Sequence, residues 1–208
     1  TFHSRVSGAA ADGWPEEPWT RHATGVLAPA TSATPAPPAP SWPPTGAAPI
    51  DVPALYDALD AAGLSYGPIF RGVERAWRLG DEILAELRLP ESEESDAHRY
   101  GLHPALFDAG LQALAGRPVT AGTVAGLPFS FLGVTLRATG ATALRVRLAP
   151  DGLDAVRLDA YDDTGAPVLT VDRVLLRPIA AARLTSRATG PAALLQLTWS
   201  PLAAAATA

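Results

Sequence analysis

A chain of 208 residues with 48% hydrophobic content is long enough for one or two domains and apolar enough for a proper core. A net charge of -5 and a pI near 5.3 argue against nucleic acid or an anionic membrane as partner, and no apolar run approaches the ~18 residues of a membrane span. The absence of cysteine excludes a disulfide framework and a thiolate metal site, and fits a cytoplasmic protein.

All 16 basic residues are Arg, and Lys, Asn and Met are absent, a bias expected of a GC-rich genome. With Thr at position 1 and no Met, the sequence reads as a piece of a longer polypeptide. Residues 1–27 hold two short strands, FHSRV (Phe2 to Val6) and WTRHATGVL (Trp19 to Leu27), rich in aromatic and β-branched residues. Two strands cannot bury a core alone and need a further sheet. Residues 28–50 carry eight of the 21 prolines and no charge, which rules out helix or central strand. They are expected to form an extended spacer and a domain boundary, the alternative being a surface insertion within one domain.

Beyond the spacer, Asp51 is a candidate N-cap for a short amphipathic helix from Val52 to Ala62, with Pro53 in its first turn and Gly63 as its stop. Tyr66 to Phe70 (YGPIF) contains a Gly-Pro turn. Gly72 to Leu79 and Glu82 to Leu89, joined at Gly80-Asp81, predict a β-hairpin. Its inward side is expected to carry Val73, Trp77 and Leu79 on one strand and Ile83, Ala85, Leu87 and Leu89 on the other. Pro90 to Ala97 (PESEESDA) is expected to be an acidic, solvated loop.

The stretch HPALFDAGLQ (His103 to Gln112) is the most unusual in the chain. A helix running from Pro104 to Ala115 has Asp108 and Gln112 as its only polar side chains, one turn apart on one face. A helix apolar nearly all round is buried, so a carboxylic acid and an amide sit where solvation is poor. If burial is deep, desolvation favours the neutral, proton-donating acid. Gly110 interrupts the helix at a cost of ~1 kcal/mol relative to Ala, which suggests close approach of a neighbouring strand.

Leu127 to Leu136, Thr142 to Leu148, Ala155 to Tyr161 and Pro167 to Leu176 then read as strands, separated by turns at Gly140, Asp151-Gly152 and Thr164-Gly165. Leu144, Val146 and Leu148 alternate with Arg145 and Arg147, so one face is buried and the other carries solvated arginines with cross-strand partners. A hairpin, one long apolar helix and an antiparallel meander make an α+β design in which a strongly curved sheet wraps the helix.

That design resembles the hot-dog fold, and the motifs make the resemblance specific. YGPIFRG (Tyr66 to Gly72), HPALFDAGLQ with its D-x-x-x-Q signature, and LPFSFLGVTLRATG (Leu127 to Gly140) resemble the second half of the dehydratase domain of modular type I polyketide synthases. FHSR and WTRHATG resemble the closing strands of that domain's first half, and the family joins its two hot dogs by a linker such as residues 28–50. The organisation implied is the end of the first hot dog over 1–27, the Pro/Ala-rich linker over 28–50 and the second hot dog over 51–180. Residues 181–208 would then be a linker and, from Leu194 to Leu202, the entry into a ketoreductase region.

The resemblance implies a lyase within a multifunctional enzyme of secondary metabolism and antibiotic biosynthesis. Such a domain removes water from a β-hydroxyacyl thioester held on the phosphopantetheine of an acyl carrier protein, and binds no cofactor or metal of its own. Asp108 matches the acid that protonates the departing hydroxyl, with Gln112 as its hydrogen-bonding partner. Tyr66, Gly67, Pro68, His103 and Gly110 are candidates for contact with the acyl chain. The implied partners are the carrier protein, the upstream hot dog, the downstream ketoreductase and a second copy of the whole synthase.

The family's base is a histidine in an H-x-x-x-G-x-x-x-x-P motif, and none of His3, His22, His98 or His103 has that spacing. The base is therefore expected upstream, and these 208 residues alone are expected to be inactive. A non-catalytic acyl-binding scaffold and a hot-dog thioesterase are the alternatives. No phosphate-cradling Gly loop, nucleotide fingerprint, zinc spacing or G-x-S-x-G elbow is present.

Overall fold

The computed structural model describes residues 1–4, 19–28, 41–117 and 126–178. The chain divides into two compact units, one formed by Thr1–Pro29 with Arg187–Ala208 and the other by Ala30–Ser186. In the smaller unit, β1 (Phe2–Ser4) pairs antiparallel with β2 (Thr20–Ala23), and Ser4 Oγ lies 2.6 Å from His22 Nε2. The expected ketoreductase entry at Leu194 to Leu202 lies outside the described residues.

The larger unit begins earlier than Asp51. Ala48–Ile50, placed in the spacer by its proline content, forms the edge strand β3 against β4 (Val73–Leu79). Pro49 is tolerated there because an edge strand has a side on which no ladder partner is needed. Helix α1 (Val52–Ala61) is capped as expected: the Asp51 carboxylate accepts from the Ala54 N–H at 3.2 Å, and Leu55, Tyr56 and Leu59 are buried.

Strands β4 and β5 (Glu82–Arg88) form the predicted hairpin, turning at Gly80 with φ 59°. Its inward face differs from the expected one. A register shift between Val73 and Arg75 makes Val73 and Ala76 the buried residues of β4, while Trp77 stays half-buried and meets Trp42 edge to face at 6.2 Å. A bulge adds a residue to one strand and so reverses the alternation beyond it. The acidic loop also contains structure, the single-turn helix α2 (Glu91–Glu94) and a 3-10 turn at Ala97–Arg99. Glu91, Glu93 and Glu94 stand in the first turn of α2, where negative charge favours helix.

Helix α3 (Pro104–Gln112) continues into a 3-10 turn at Ala113–Gly116. Ala105, Leu106, Ala109 and Ala113 are at most 1% exposed and share one core with Ile83, Leu87, Val146, Leu158 and Val171. Burying a side chain such as Leu106 stabilises by about 1.5–3 kcal/mol. The four remaining strands are β6 (Gly126–Leu136), β7 (Ala143–Pro150), β8 (Ala155–Tyr161) and β9 (Pro167–Pro178).

The seven strands described in the larger unit pair antiparallel in the order β3-β4-β5-β7-β8-β9-β6. The expected meander therefore holds only for β7, β8 and β9. Strand β5 already occupies the near side of β7, so β6 takes the free side of β9 and becomes the second edge. Phe129, Phe131, Leu132, Val134 and Leu136 along it are all at least 40% exposed.

The outward arginines meet carboxylates across or along the strands. Arg147 donates twice to Glu82, Arg75 and Arg145 both reach Glu86, and Arg157 bridges Asp159 and Asp172. Among the described residues no group of three or more His, Cys, Asp or Glu is placed to hold a metal, and no helix is long and apolar enough to cross a membrane.

Candidate active site

One turn of α3 brings Asp108 and Gln112 together as their spacing predicts, with Gln112 Nε2 donating to Asp108 Oδ2 at 2.7 Å. Gln112 is only 3% exposed, so each polar atom of its amide needs a protein partner. The second Nε2 proton goes to the Phe70 carbonyl at 2.9 Å, and Oε1 accepts the Tyr56 hydroxyl at 2.9 Å. The Tyr56 oxygen in turn accepts the Val73 N–H at 3.2 Å. Three segments distant in sequence thus converge on one amide.

The local sequence explains each contribution. Pro68 starts a 3-10 turn, Pro68–Phe70, closed by the Phe70 N–H on the Gly67 carbonyl at 2.9 Å, and this turn presents the Phe70 carbonyl toward α3. Two residues on, Gly72 lets the chain press against that helix. A Cβ there would lie 3.0 Å from the Arg88 carbonyl oxygen and 3.1 Å from Ala109 Cβ, closer than nearly all real contacts. Gly67 stands in open space, so its pairing with Pro68 concerns the turn and not crowding.

Asp108 is half-buried, so the deep burial posited for its carboxyl is not reached by the described residues of this chain. Its Oδ2 is held by Gln112, while Oδ1 has no hydrogen-bond partner and the carboxyl no cation partner among the described residues. Burial pushes the half-buried Tyr66 hydroxyl up from its ordinary value, with smaller contributions in the same direction from Asp108 and Tyr56, which places Tyr66 within electrostatic reach of the acid. Burial also raises Tyr56, opposed by the Val73 N–H and by Arg71, whose guanidinium lies 4.8 Å from the centre of the Tyr56 ring.

The other candidates lie apart from this cluster. His103 caps α3: its Nδ1 accepts the Ala105 N–H at 3.3 Å, and its Nε2 lies 3.8 Å from Glu93. Its ring meets Tyr100 edge to face at 4.9 Å and is 6% exposed. Gly110 faces the sheet on the opposite side of the helix from Asp108. A Cβ on it would meet Leu87, Val146 and Leu158 at ordinary distances of 3.5 to 3.9 Å, so the tight approach belongs to Gly72. His98 is exposed and tied to the Ser95 carbonyl at 2.6 Å.

Tyr56 was not singled out from the sequence, although a signal exists. It is the one aromatic on the buried side of α1, and a tyrosine there must find a partner for its hydroxyl.

The model of the polyketide synthase dehydratase N-terminal domain matches residues 34–186. The chain belongs to the polyketide synthase dehydratase family. It is 43% identical over 207 residues to the polyketide synthase GfsE of Streptomyces halstedii, covering 97% of this chain and 5% of that protein. Among solved structures, one concerned with dehydratase substrate selection for the borrelidin and fluvirucin polyketide synthases is 46% identical. It superposes with a TM-score of 0.70 over 80% of this chain and 59% of that one. The erythromycin dehydratase is 37% identical, with a TM-score of 0.67 over 81% of this chain and 59% of its own. This dehydratase-family chain thus has the hot-dog fold, spans about six-tenths of those solved dehydratase chains, and has relatives that are large synthases.

Proposed function

We propose that this chain supplies the acid half of a site that removes water from a β-hydroxyacyl thioester carried on the phosphopantetheine of an acyl carrier protein. The observation that carries the reading is the state of Asp108, one of whose carboxyl oxygens is held by Gln112 while the other has no partner among the described residues. A base takes the α-proton, its bonding pair becomes the new Cα–Cβ π bond, and the Cβ–O bond breaks as Asp108 delivers its proton to the leaving hydroxyl. The products are water, an α,β-unsaturated thioester, the protonated base and an Asp108 carboxylate. Gln112 holds the acid in place, and Tyr66 with the Gly67-Pro68 turn lines the approach from the side of Phe70.

The base is read, as the family resemblance implies, as a histidine of the upstream hot dog; His103 is engaged in capping α3 and His98 in a surface turn. The exposed apolar edge β6 supports such a partner. A long edge strand, paired on one side with β9 and carrying five large apolar side chains at least 40% exposed, is a template for pairing with another sheet. The first hot dog of the same polypeptide is the proposed cover.

The test compares this chain alone with a polypeptide that carries both hot dogs, using a β-hydroxyacyl carrier protein as substrate. The chain alone is expected to give no dehydration, the longer one to dehydrate, and Asp108→Asn in the longer one to lose a factor of ~10²–10⁴ in turnover. Dehydration by the chain alone, or native turnover in Asp108→Asn, would sink the reading. Binding without turnover by the longer polypeptide would favour an acyl-binding scaffold, and release of free acid would favour a thioesterase.

A further inference from the structure

The hydrogen bonds around Gln112 form a chain whose direction is fixed at both ends. At one end, the Val73 main-chain nitrogen can only donate, so the Tyr56 oxygen accepts from it and the single hydroxyl proton of Tyr56 is directed elsewhere. At the other end, the Phe70 main-chain oxygen can only accept, so the amide atom 2.9 Å from it is the nitrogen. The Gln112 oxygen therefore faces Tyr56 and receives its proton at 2.9 Å. The remaining amide proton has one place to go, Asp108 Oδ2 at 2.7 Å. No atom of this set can reverse its role without leaving a buried donor facing a donor or an acceptor facing an acceptor.

We infer that Tyr56 is a positioning residue for the dehydration step: anchored on Val73, its hydroxyl locks the Gln112 amide so that Asp108 is gripped by Oδ2 and presents Oδ1 for proton delivery. This rests on the reading of Asp108 as the acid. Tyr56 touches neither the carboxyl nor any reacting atom, and it acts only through Gln112. Without the hydroxyl, Oε1 is left buried without a donor; the Phe70 carbonyl still marks the nitrogen, but the oxygen side of the amide is no longer anchored and its grip on Asp108 Oδ2 loosens. Both Tyr56 and Gln112 are buried, at 6% and 3% exposure, so water does not readily replace the lost partner.

The experiment uses the polypeptide carrying both hot dogs and its carrier-bound substrate. Tyr56→Phe removes one atom from a ring that keeps its place, and is expected to lower kcat about tenfold while KM stays within about twofold. In a Gln112→Ala background the same change is expected to alter kcat by less than about twofold, because the group through which Tyr56 acts is already gone. Arg71→Ala, which removes the cation above the Tyr56 ring and leaves the hydroxyl, is expected to turn over at the native rate. If Tyr56→Phe proves too unstable to assay, Gln112→Asn draws the amide back from the hydroxyl by one methylene and is expected to show the same loss of kcat. Native kcat in Tyr56→Phe or in Gln112→Asn, or losses that multiply fully in the double variant, would overturn the positioning role. Asp108→Asn separates the two readings. If it turns over normally, the acid assignment fails, whereas if it is inactive and Tyr56→Phe is native, only the role of Tyr56 fails.

Discussion

The two sides of one sheet handle polar groups in opposite ways. On the outer side, Arg147 meets Glu82, Arg75 and Arg145 meet Glu86, and Arg157 meets Asp159 and Asp172, so each carboxylate has a guanidinium across or along the strands. On the inner side, Tyr56, Gln112 and two main-chain groups form a neutral relay that ends on Asp108. A carboxylate neutralised by a cation is tied to register and strand pairing. A carboxyl gripped by one neutral donor, with its other oxygen unpartnered among the described residues, keeps an atom available for chemistry.

Apart from Asp108→Asn, the largest effect expected from breaking this contrast is on the outer side. Asp159 is 1% exposed and depends on the Arg157 fork, which holds it with contacts of 2.9 to 3.2 Å. Arg157→Met leaves that charge without its fork and is expected to cost about 3 kcal/mol in denaturant unfolding of the polypeptide carrying both hot dogs, with native kcat in the fraction that folds. Next is Gly72→Ala, which sharpens the inner side. Its Cβ would strike the Arg88 carbonyl oxygen and Ala109 beside Asp108, so a loss of ~1–3 kcal/mol is expected together with reduced turnover. A loss of stability with unchanged kcat would mean that the approach to α3 does not set the acid's position.

Smaller effects are expected at exposed positions. The Asp162 carboxylate accepts from the Thr164 hydroxyl and from the Thr164 and Ala166 N–H groups, and these bonds, led by the hydroxyl, hold it below its ordinary value of 3.8. A lowered carboxyl stabilises the fold above that ordinary value, and the stabilisation is lost as pH falls through the lowered native one. Asp162→Ala should therefore cost at most ~1 kcal/mol near neutrality, since solvent screens the group, and in acid unfolding the difference from the native chain should begin to shrink around pH 3.8 and vanish only below the lowered native value. Smallest is Arg75→Ala. Its side chain is 67% exposed, and less than ~1 kcal/mol is expected in the same unfolding measurement.

Much of this molecule is legible in its sequence because the relevant physics is local. The Asp51 cap, the Gly80 turn and the one-turn spacing of Asp108 and Gln112 are set by residues within a few positions of one another. What sequence periodicity misses is whatever depends on a distant partner. The bulge after Val73 reversed the facing of Trp77, and the course of β6 was decided by β5 having already taken the side of β7. At the site, the carboxyl and amide could be picked out because polar residues are conspicuous in an apolar helix. Tyr56 lies 56 positions from Gln112, and the contribution of Phe70 is a main-chain oxygen that no side-chain pattern records.

Phe70 also has two faces with different audiences. The residue is 40% exposed, while its carbonyl lies inside against Gln112, and Pro68 stiffens the short turn that carries both. A molecule that leans on the ring therefore presses on a lever whose other arm is the amide holding the acid. The outside of this turn is mechanically continuous with the carboxyl.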